Sequence, residues 1–268
     1  MHATRLATSA LLGMTALLAG CTDSTSASAG RPMSVSFATG SASPAATMSI
    51  SPSGASRSIT ATSGANTLVI SKAQVVVARM ELARAGASCT STSAAGDDQS
   101  DEHQCAELTL APSLVDLPVD ATIASPLQIN IPAGTYSALE AKIRPVRGDA
   151  DHGKGSAAFL TAHPEFAGVT VRVEGTYNGK AFVYTGAPRA EFETVFNPPI
   201  VVDAAPANVT VQVDLATWFK DASGALIDPS STNADAMATI ANNIRRSFRA
   251  FHDDDRNGKD DAGEHHGG

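Results

Sequence analysis

Aromatic residues are scarce: one Trp, three Tyr and nine Phe in 268 residues. A stacking surface for bases or sugars needs rings gathered together. Tyr136, Tyr177, Tyr184 and Trp218 are spread along the chain and read as core or rim. Basic residues are also few, 19 Lys and Arg against 27 Asp and Glu, a formal net charge of −8. That balance argues against a general nucleic-acid binder, which needs a basic field to displace counterions from phosphate. Internal apolar runs of 18 or more residues are missing, which excludes a bundle of membrane-spanning helices. The nucleophile elbow G-x-S-x-G, the zinc helix H-E-x-x-H and the phosphate loop are all absent. His152 beside Asp151, and His163-Pro164-Glu165, are the nearest approaches to an acid–base pair, and a surface turn explains the first as well. The chain is therefore read as non-catalytic. An envelope polysaccharide hydrolase stays open as a rival, because glycosidase carboxylates assemble from distant strands and leave no local trace.

What the chain does have begins at the N-terminus. His2 and Arg5 precede an apolar stretch from Leu6 to Ala19, too short and too rich in Ala, Thr and Ser for a membrane span. Residues 1–20 are expected to be a lipoprotein signal peptide. Leu18-Ala19-Gly20-Cys21 resembles a bacterial lipobox. That resemblance implies a lipidated Cys21, carrying a diacylglyceryl thioether and an acylated amine (palmitate-type chains), in a bacterial cell envelope. Each buried methylene contributes about 0.8 kcal/mol, so several chains anchor the protein firmly. Thr22 follows, where many such lipoproteins retained at the inner membrane carry Asp, so the outer membrane is expected. The processed chain of 248 residues would hold 18 basic and 27 acidic residues, a net charge of −9.

The other two cysteines, Cys89 and Cys105, enclose 15 mostly polar residues. An oxidising compartment favours a disulfide between them, and closing a loop of that size is worth about 3 kcal/mol in the chain-entropy description. Free thiols or half of a metal site are the other readings, and the spacing lacks the short Cys pairs of zinc sites. The acids within that loop (Asp97, Asp98, Asp101, Glu102, with His103) read as a polar loop tip.

From Thr22 to Asn66, 35 of 45 residues are Ser, Thr, Ala, Gly or Pro, the composition of a tether. The lipidated Cys and tether are assigned to residues 21–32. Met33, Val35 and Phe37 alternate with serines and start a first strand. From Thr67 the pattern is strongly β, with Leu68, Ile70, Val76, Ala78, Met80 and Leu82 read as one face of a long segment. Leu127, Ile129 and Ile131 alternate, as do Leu139, Ala141 and Ile143, and Pro132-Ala133-Gly134 between them predicts a hairpin. A short helix is expected over Ala157–Thr161. Asn178-Gly179, between Val169–Val173 and Phe182–Tyr184, is the strongest hairpin signal. Phe192, Phe196, Ile200–Val202 and Val209–Val213 add further strands. About ten short strands with turns between them predict a mainly β fold, an antiparallel β-sandwich over residues 33–219. One C-terminal amphipathic helix is expected within 220–252, because Met237, Ile240, Ile244, Phe248 and Phe251 fall at helical spacing.

The lipobox, the tether, the Thr67–Leu82 strand, the Pro132-Ala133-Gly134-Thr135-Tyr136 turn and the later hairpins together resemble bacterial lipoproteins of a domain-of-unknown-function family. The resemblance implies a prealbumin-like or immunoglobulin-like β-sandwich. It brings no catalytic residues with it.

The sharpest chemical pattern lies in the tail, residues 253–268. Asp253, Asp255, Asn257, Gly258 and Glu264 match D-x-[DN]-x-[DN]-G-x₅-E. In such EF-hand-like calcium loops the side chains of Asp253, Asp255 and Asn257, the carbonyl of Lys259, Asp261 and a bidentate Glu264 supply oxygen ligands, and Gly258 permits the turn. An amphipathic helix entering at Asp253 would complete the likeness. Against it, Asp260 stands where an aliphatic residue is usual, and six acids with two bases over 253–264 equally describe a solvated acidic tail. His265 and His266 beside it read as adventitious ligands at most. Together these features describe a lipid-anchored envelope module, non-catalytic, with one weak calcium site. Its partners are expected to be the membrane, through Cys21, and an envelope or extracellular ligand. A calcium-dependent adhesin or glycan binder is the alternative among binding proteins.

Overall fold

The computed structural model describes residues 31–40, 58–86, 106–120, 123–148, 155–203 and 207–261. Cys21, Cys89, Cys105, Glu264, His152 and the acids at 97–102 lie outside them. No helix among the described residues is long and apolar enough to cross a membrane.

Alternating apolar residues build two sheets that share one core. The first sheet has the order β12-β11-β1-β6, from β1 (Arg31–Thr39), β6 (Ile123–Ile131), β11 (Ala207–Val213) and β12 (Phe248–His252). Its β1–β11 pair is parallel and its other pairs are antiparallel. The second sheet runs β10-β7-β3-β8-β9: β10 (Ala190–Val202), β7 (Gly134–Ile143), β3 (Asn66–Arg84), β8 (Val171–Tyr177) and β9 (Lys180–Gly186). Three short strands also pair with β3, namely β2 (Ile59–Ser63), β4 (Ala106–Leu110) and β5 (Ser113–Leu117). The fold is therefore the expected mainly β, mostly antiparallel sandwich. Met33, Val35 and Phe37 of β1 and Val209, Val211 and Val213 of β11 are buried against Val75, Leu139, Ile143 and Val173 of the second sheet. Each such side chain contributes about 1.5–3 kcal/mol on burial.

Three local readings are corrected. The long strand β3 does not keep one face along its length. Its ladders shift register between Ile70 and Lys72 and between Val77 and Arg79, and each extra residue reverses the alternation. Leu68 and Ile70, then Ala73, Val75 and Val77, then Met80 and Leu82 face the main core. Val76 and Ala78 face the other way, into a small second core with Val146, Phe159 and Phe166. That second core is covered by α1 (Ser156–Ala162), close to the helix expected there, and by a 3-10 turn at Pro164–Phe166.

The segments on either side of Pro132-Ala133 do not form a hairpin. β6 pairs with β1 and β7 pairs with β3 and β10, so the chain crosses from one sheet to the other at this turn. Tyr136, 1% exposed, donates its hydroxyl to the Pro132 carbonyl at 2.8 Å. A buried phenol bonded a few residues upstream fixes such a corner. By contrast Asn178 (φ 51°) and Gly179 (φ 78°) do join β8 to β9, both with positive φ, as a type I′ turn requires.

The C-terminal helix is shorter than its spacing suggests. α2 (Ala234–Arg246) starts at Asn233, whose side chain accepts the amides of Asp235 and Ala236, and buries Ile240 and Ile244. It stops at Ser247, whose hydroxyl accepts the Trp218 indole N–H at 2.7 Å and donates to the Ile244 carbonyl. Phe248 and Phe251 belong instead to β12, which pairs antiparallel with β11 from Phe248↔Val213 to Val209↔His252. Apolar spacing of three and four continued into a segment whose ring-bearing residues favour a strand, and a free sheet edge took it. The sandwich thus extends beyond residue 219.

Candidate metal centre

A strand, not a helix, leads into the acidic segment, and this determines where the segment lies. Register along β11–β12 sets His252 opposite Val209, and the Asp253 amide donates to the Asn208 carbonyl at 3.3 Å. The chain then folds back over the outer face of the first sheet. That face is polar where the loop lands: Ser34, Ser36, Asn208 and Thr210 are all buried. The Asn208 side chain accepts from Ser34 and Ser36 at 2.7 Å each and donates to the Thr210 hydroxyl and the Asp253 carbonyl. Its backbone N–H donates to Asp254 Oδ1 at 3.0 Å. Buried polar groups are tolerated here because each finds a partner.

Asp253 is 0% exposed. Its Oδ1 accepts the Asn257 amide at 2.9 Å and its Oδ2 the Gly258 amide at 3.1 Å. Burial pushes its carboxyl above the ordinary value. The Thr210 hydroxyl and the two amides pull the other way, and the Asp255 carboxyl adds to the rise. Two further side-chain turns shape the loop. Asp255 Oδ1 accepts the Asn257 amide at 3.0 Å, and Asn257 Oδ1 accepts the Lys259 amide at 2.8 Å. Arg256 (φ 58°) and Gly258 (φ 81°) take left-handed backbone, and a Cβ on Gly258 would stand 3.2 Å from Ile123 Cδ1. Glycine at this position thus answers both a positive φ and a close approach. Arg256 extends along the sheet and donates to Ser34 Oγ at 2.9 Å.

Three of the residues expected to hold calcium converge. Asp253, Asp255 and Asp261 each offer a carboxylate oxygen, all within 4.8 Å of one another. Asp261 reaches the group because its Oδ2 accepts the Asp254 amide at 2.8 Å. Asn257 turns its oxygen to the Lys259 amide, and its amide group donates to Asp255 Oδ2 at 2.8 Å. From Asp253 to Asp261 there are five acids and two bases, Arg256 and Lys259. Carboxylates crowded so closely repel unless a proton or a cation lies between them.

His252 and Asp254 belong to no motif of the sequence. Asp254 stands in the turn just after β12, and with His252 and Asp261 it forms a second trio with donor atoms within 4.8 Å. The only local trace is the spacing H-x-D, which is common in any acidic tail. A cleft of about 790 Å³ opens between Glu193–Pro198 of β10 and this end of β12, with Asp254, Asp255, Asp260 and Asp261 on its wall. Phe196 meets the His252 ring edge-on at 6.5 Å. His163 and Glu165, 3.9 Å apart, lie instead beside the second core, with side chains 35% and 48% exposed.

No family model matches the chain, and no curated protein matches it. Among solved structures, MbnP from Methylosinus trichosporium is similar with a TM-score of 0.38 and 16% sequence identity, over 83% of this chain and 98% of that one. Nothing about the acidic loop follows from a likeness at that level.

Proposed function

We propose that the chain is a lipid-anchored envelope protein whose β-sandwich acts as a non-catalytic binding or structural module, stabilised by one weakly held calcium ion. The observation that carries the calcium reading is the convergence of Asp253, Asp255 and Asp261 on a loop whose own amides already bind Asp253. Hard carboxylate oxygens suit Ca²⁺, and few protein ligands suit the millimolar affinity of extracellular modules. The ion neutralises the crowded acids and fastens the loop to the outer face of the first sheet, so its role is to order the C-terminal end of the sandwich. The anchor rests on Leu18-Ala19-Gly20-Cys21 and on the Ser/Thr/Ala tether that follows, which lets the sandwich stand off the membrane. An outer-membrane position rests on Thr22.

Two experiments test the parts separately. Growth of expressing cells with a clickable palmitate analogue should label the wild type and not Cys21→Ser, and equal labelling of both would refute the anchor. Calorimetric titration with Ca²⁺ should give one site, absent in Asp255→Asn, and no heat in the wild type would refute the calcium reading.

A further inference from the structure

The cleft beside the loop carries donors of a different kind. We propose that His252, Asp254 and Asp261 form a binding site for one divalent first-row transition ion, at the mouth of the cleft between β10 and the acidic loop. This goes beyond the calcium reading and does not need calcium to be bound, although Asp261 belongs to both trios.

An imidazole nitrogen with two carboxylates is a mixed N/O set. Such sets suit zinc, copper, iron and nickel, whereas calcium takes oxygen almost alone. Two donors held about 2.1 Å from one ion lie about 3.0–3.4 Å from each other. His252 Nε2 stands 3.0 Å from Asp254 Oδ2, within that range, whereas Asp261 Oδ2 lies nearer the other ring nitrogen, 3.8 Å from Nδ1, and completes the set only by turning toward Nε2. A ring nitrogen and a carboxylate oxygen at that separation form an ion pair when the ring is protonated and can hold a metal ion between them when it is neutral.

Each donor is also held from behind, as metal ligands generally are. Asp254 gives Oδ1 to the Asn208 amide and keeps Oδ2 toward the histidine. Asp261 accepts the Asp254 amide. His252 is fixed by its place in β12 opposite Val209 and by Phe196 against its ring. Three protein donors leave coordination positions open, and the cleft of about 790 Å³ leaves room for a small ligand to reach them.

The test uses the full-length protein stripped with chelator, kept free of Ca²⁺ and titrated with Cu²⁺ as the probe. One Cu²⁺ should bind per chain, with nitrogen coupling from a single imidazole in its electron paramagnetic resonance spectrum. His252→Ala should remove that coupling and weaken binding by about 100-fold or more. Asp254→Asn retains an oxygen for the Asn208 amide and removes the ligating charge, so it should weaken binding at least 10-fold with the melting temperature unchanged. Nitrogen coupling that survives in His252→Ala, traced to another of the seven histidines, would overturn the assignment. So would the absence of stoichiometric binding. Cu²⁺ binding without Ca²⁺ binding would sustain this site and refute the calcium proposal, and the reverse result would refute this site alone.

Discussion

Replacing Asn208 by Ala should unfasten the acidic loop from the sandwich. The side chain makes four hydrogen bonds in a buried setting: two accepted from Ser34 and Ser36 at 2.7 Å, one donated to Thr210 at 3.2 Å and one donated to the Asp253 carbonyl at 2.7 Å. A net contribution of about 1 kcal/mol per bond gives an upper value near 4 kcal/mol. Some partners retain other bonds: Ser34 still accepts from Arg256, and the Asp253 carbonyl still accepts the Arg256 amide. The expected loss is therefore about 3 kcal/mol, a large share of the about 5–15 kcal/mol that holds a domain together. Asn208→Asp should cost more, because it removes the donor and places a second buried carboxylate beside Asp253. Trp218 is the only tryptophan and is 0% exposed, so urea unfolding followed by its fluorescence reads the difference directly. A loss under about 1 kcal/mol for Asn208→Ala, with calcium affinity unchanged, would refute the view that this network fastens the loop.

Three further outcomes are expected. Gly175→Ala should destabilise severely, by about 3 kcal/mol or more, since its Cβ would sit 1.9 Å from the Val69 carbonyl oxygen where β8 crosses the bulge in β3; a variant that unfolds at wild-type urea concentration would contradict this packing. Burial pushes the Tyr184 phenol up to about 12, against about 10 in the unfolded chain. The folded state keeps that proton longer, so its contribution is complete below pH 10 and is lost between pH 10 and 12, about 3 kcal/mol in all. The ultraviolet titration difference between wild type and Tyr184→Phe should show the Tyr184 phenol ionising late, and Tyr184→Phe should flatten the alkaline stability profile; a Tyr184 phenol that ionises near pH 10 in folded protein would be the wrong result. Finally, β3 and β4 pair at Ala83↔Ala106, which brings together the strand ends flanking the segment that carries Cys89 and Cys105. Mass spectrometry of unreduced peptides should find those cysteines linked, and free alkylated thiols in exported protein would exclude the link.

Much of the sandwich is legible in alternation alone. Met33, Val35 and Phe37, or Val209, Val211 and Val213, can serve only as the buried face of a strand. Asn178-Gly179 names its own turn and thereby the partner of β8. What alternation does not carry is identity of partner. The strands around Pro132-Ala133 look like a hairpin, yet a buried Tyr136 turns that corner between sheets. Nor does alternation register a bulge: in β3, Val76 and Ala78 have the same apolar character whichever core they enter. The end of α2 shows a third limit, since Phe248 continues the helical spacing while an open edge of β11 claims it for β12. For the site, the D-x-D-x-N-G pattern brought Asp253, Asp255 and Asp261 into view because the chemistry lies within one short segment. His252 stayed hidden because its role depends on β12 being a strand that ends against β10.

A thermal melt shows whether a cation orders the loop at Asp253–Asp261. With a dissociation constant of about 0.5 mM, 10 mM Ca²⁺ should add about 2 kcal/mol and raise the melting temperature by about 5 °C. Asp255→Asn should melt at one temperature with or without the ion. A wild-type melting temperature that is the same in 10 mM Ca²⁺ and in chelator would contradict such ordering, and residues 253–261 would then be a loop held by Asn208 and its own amides alone.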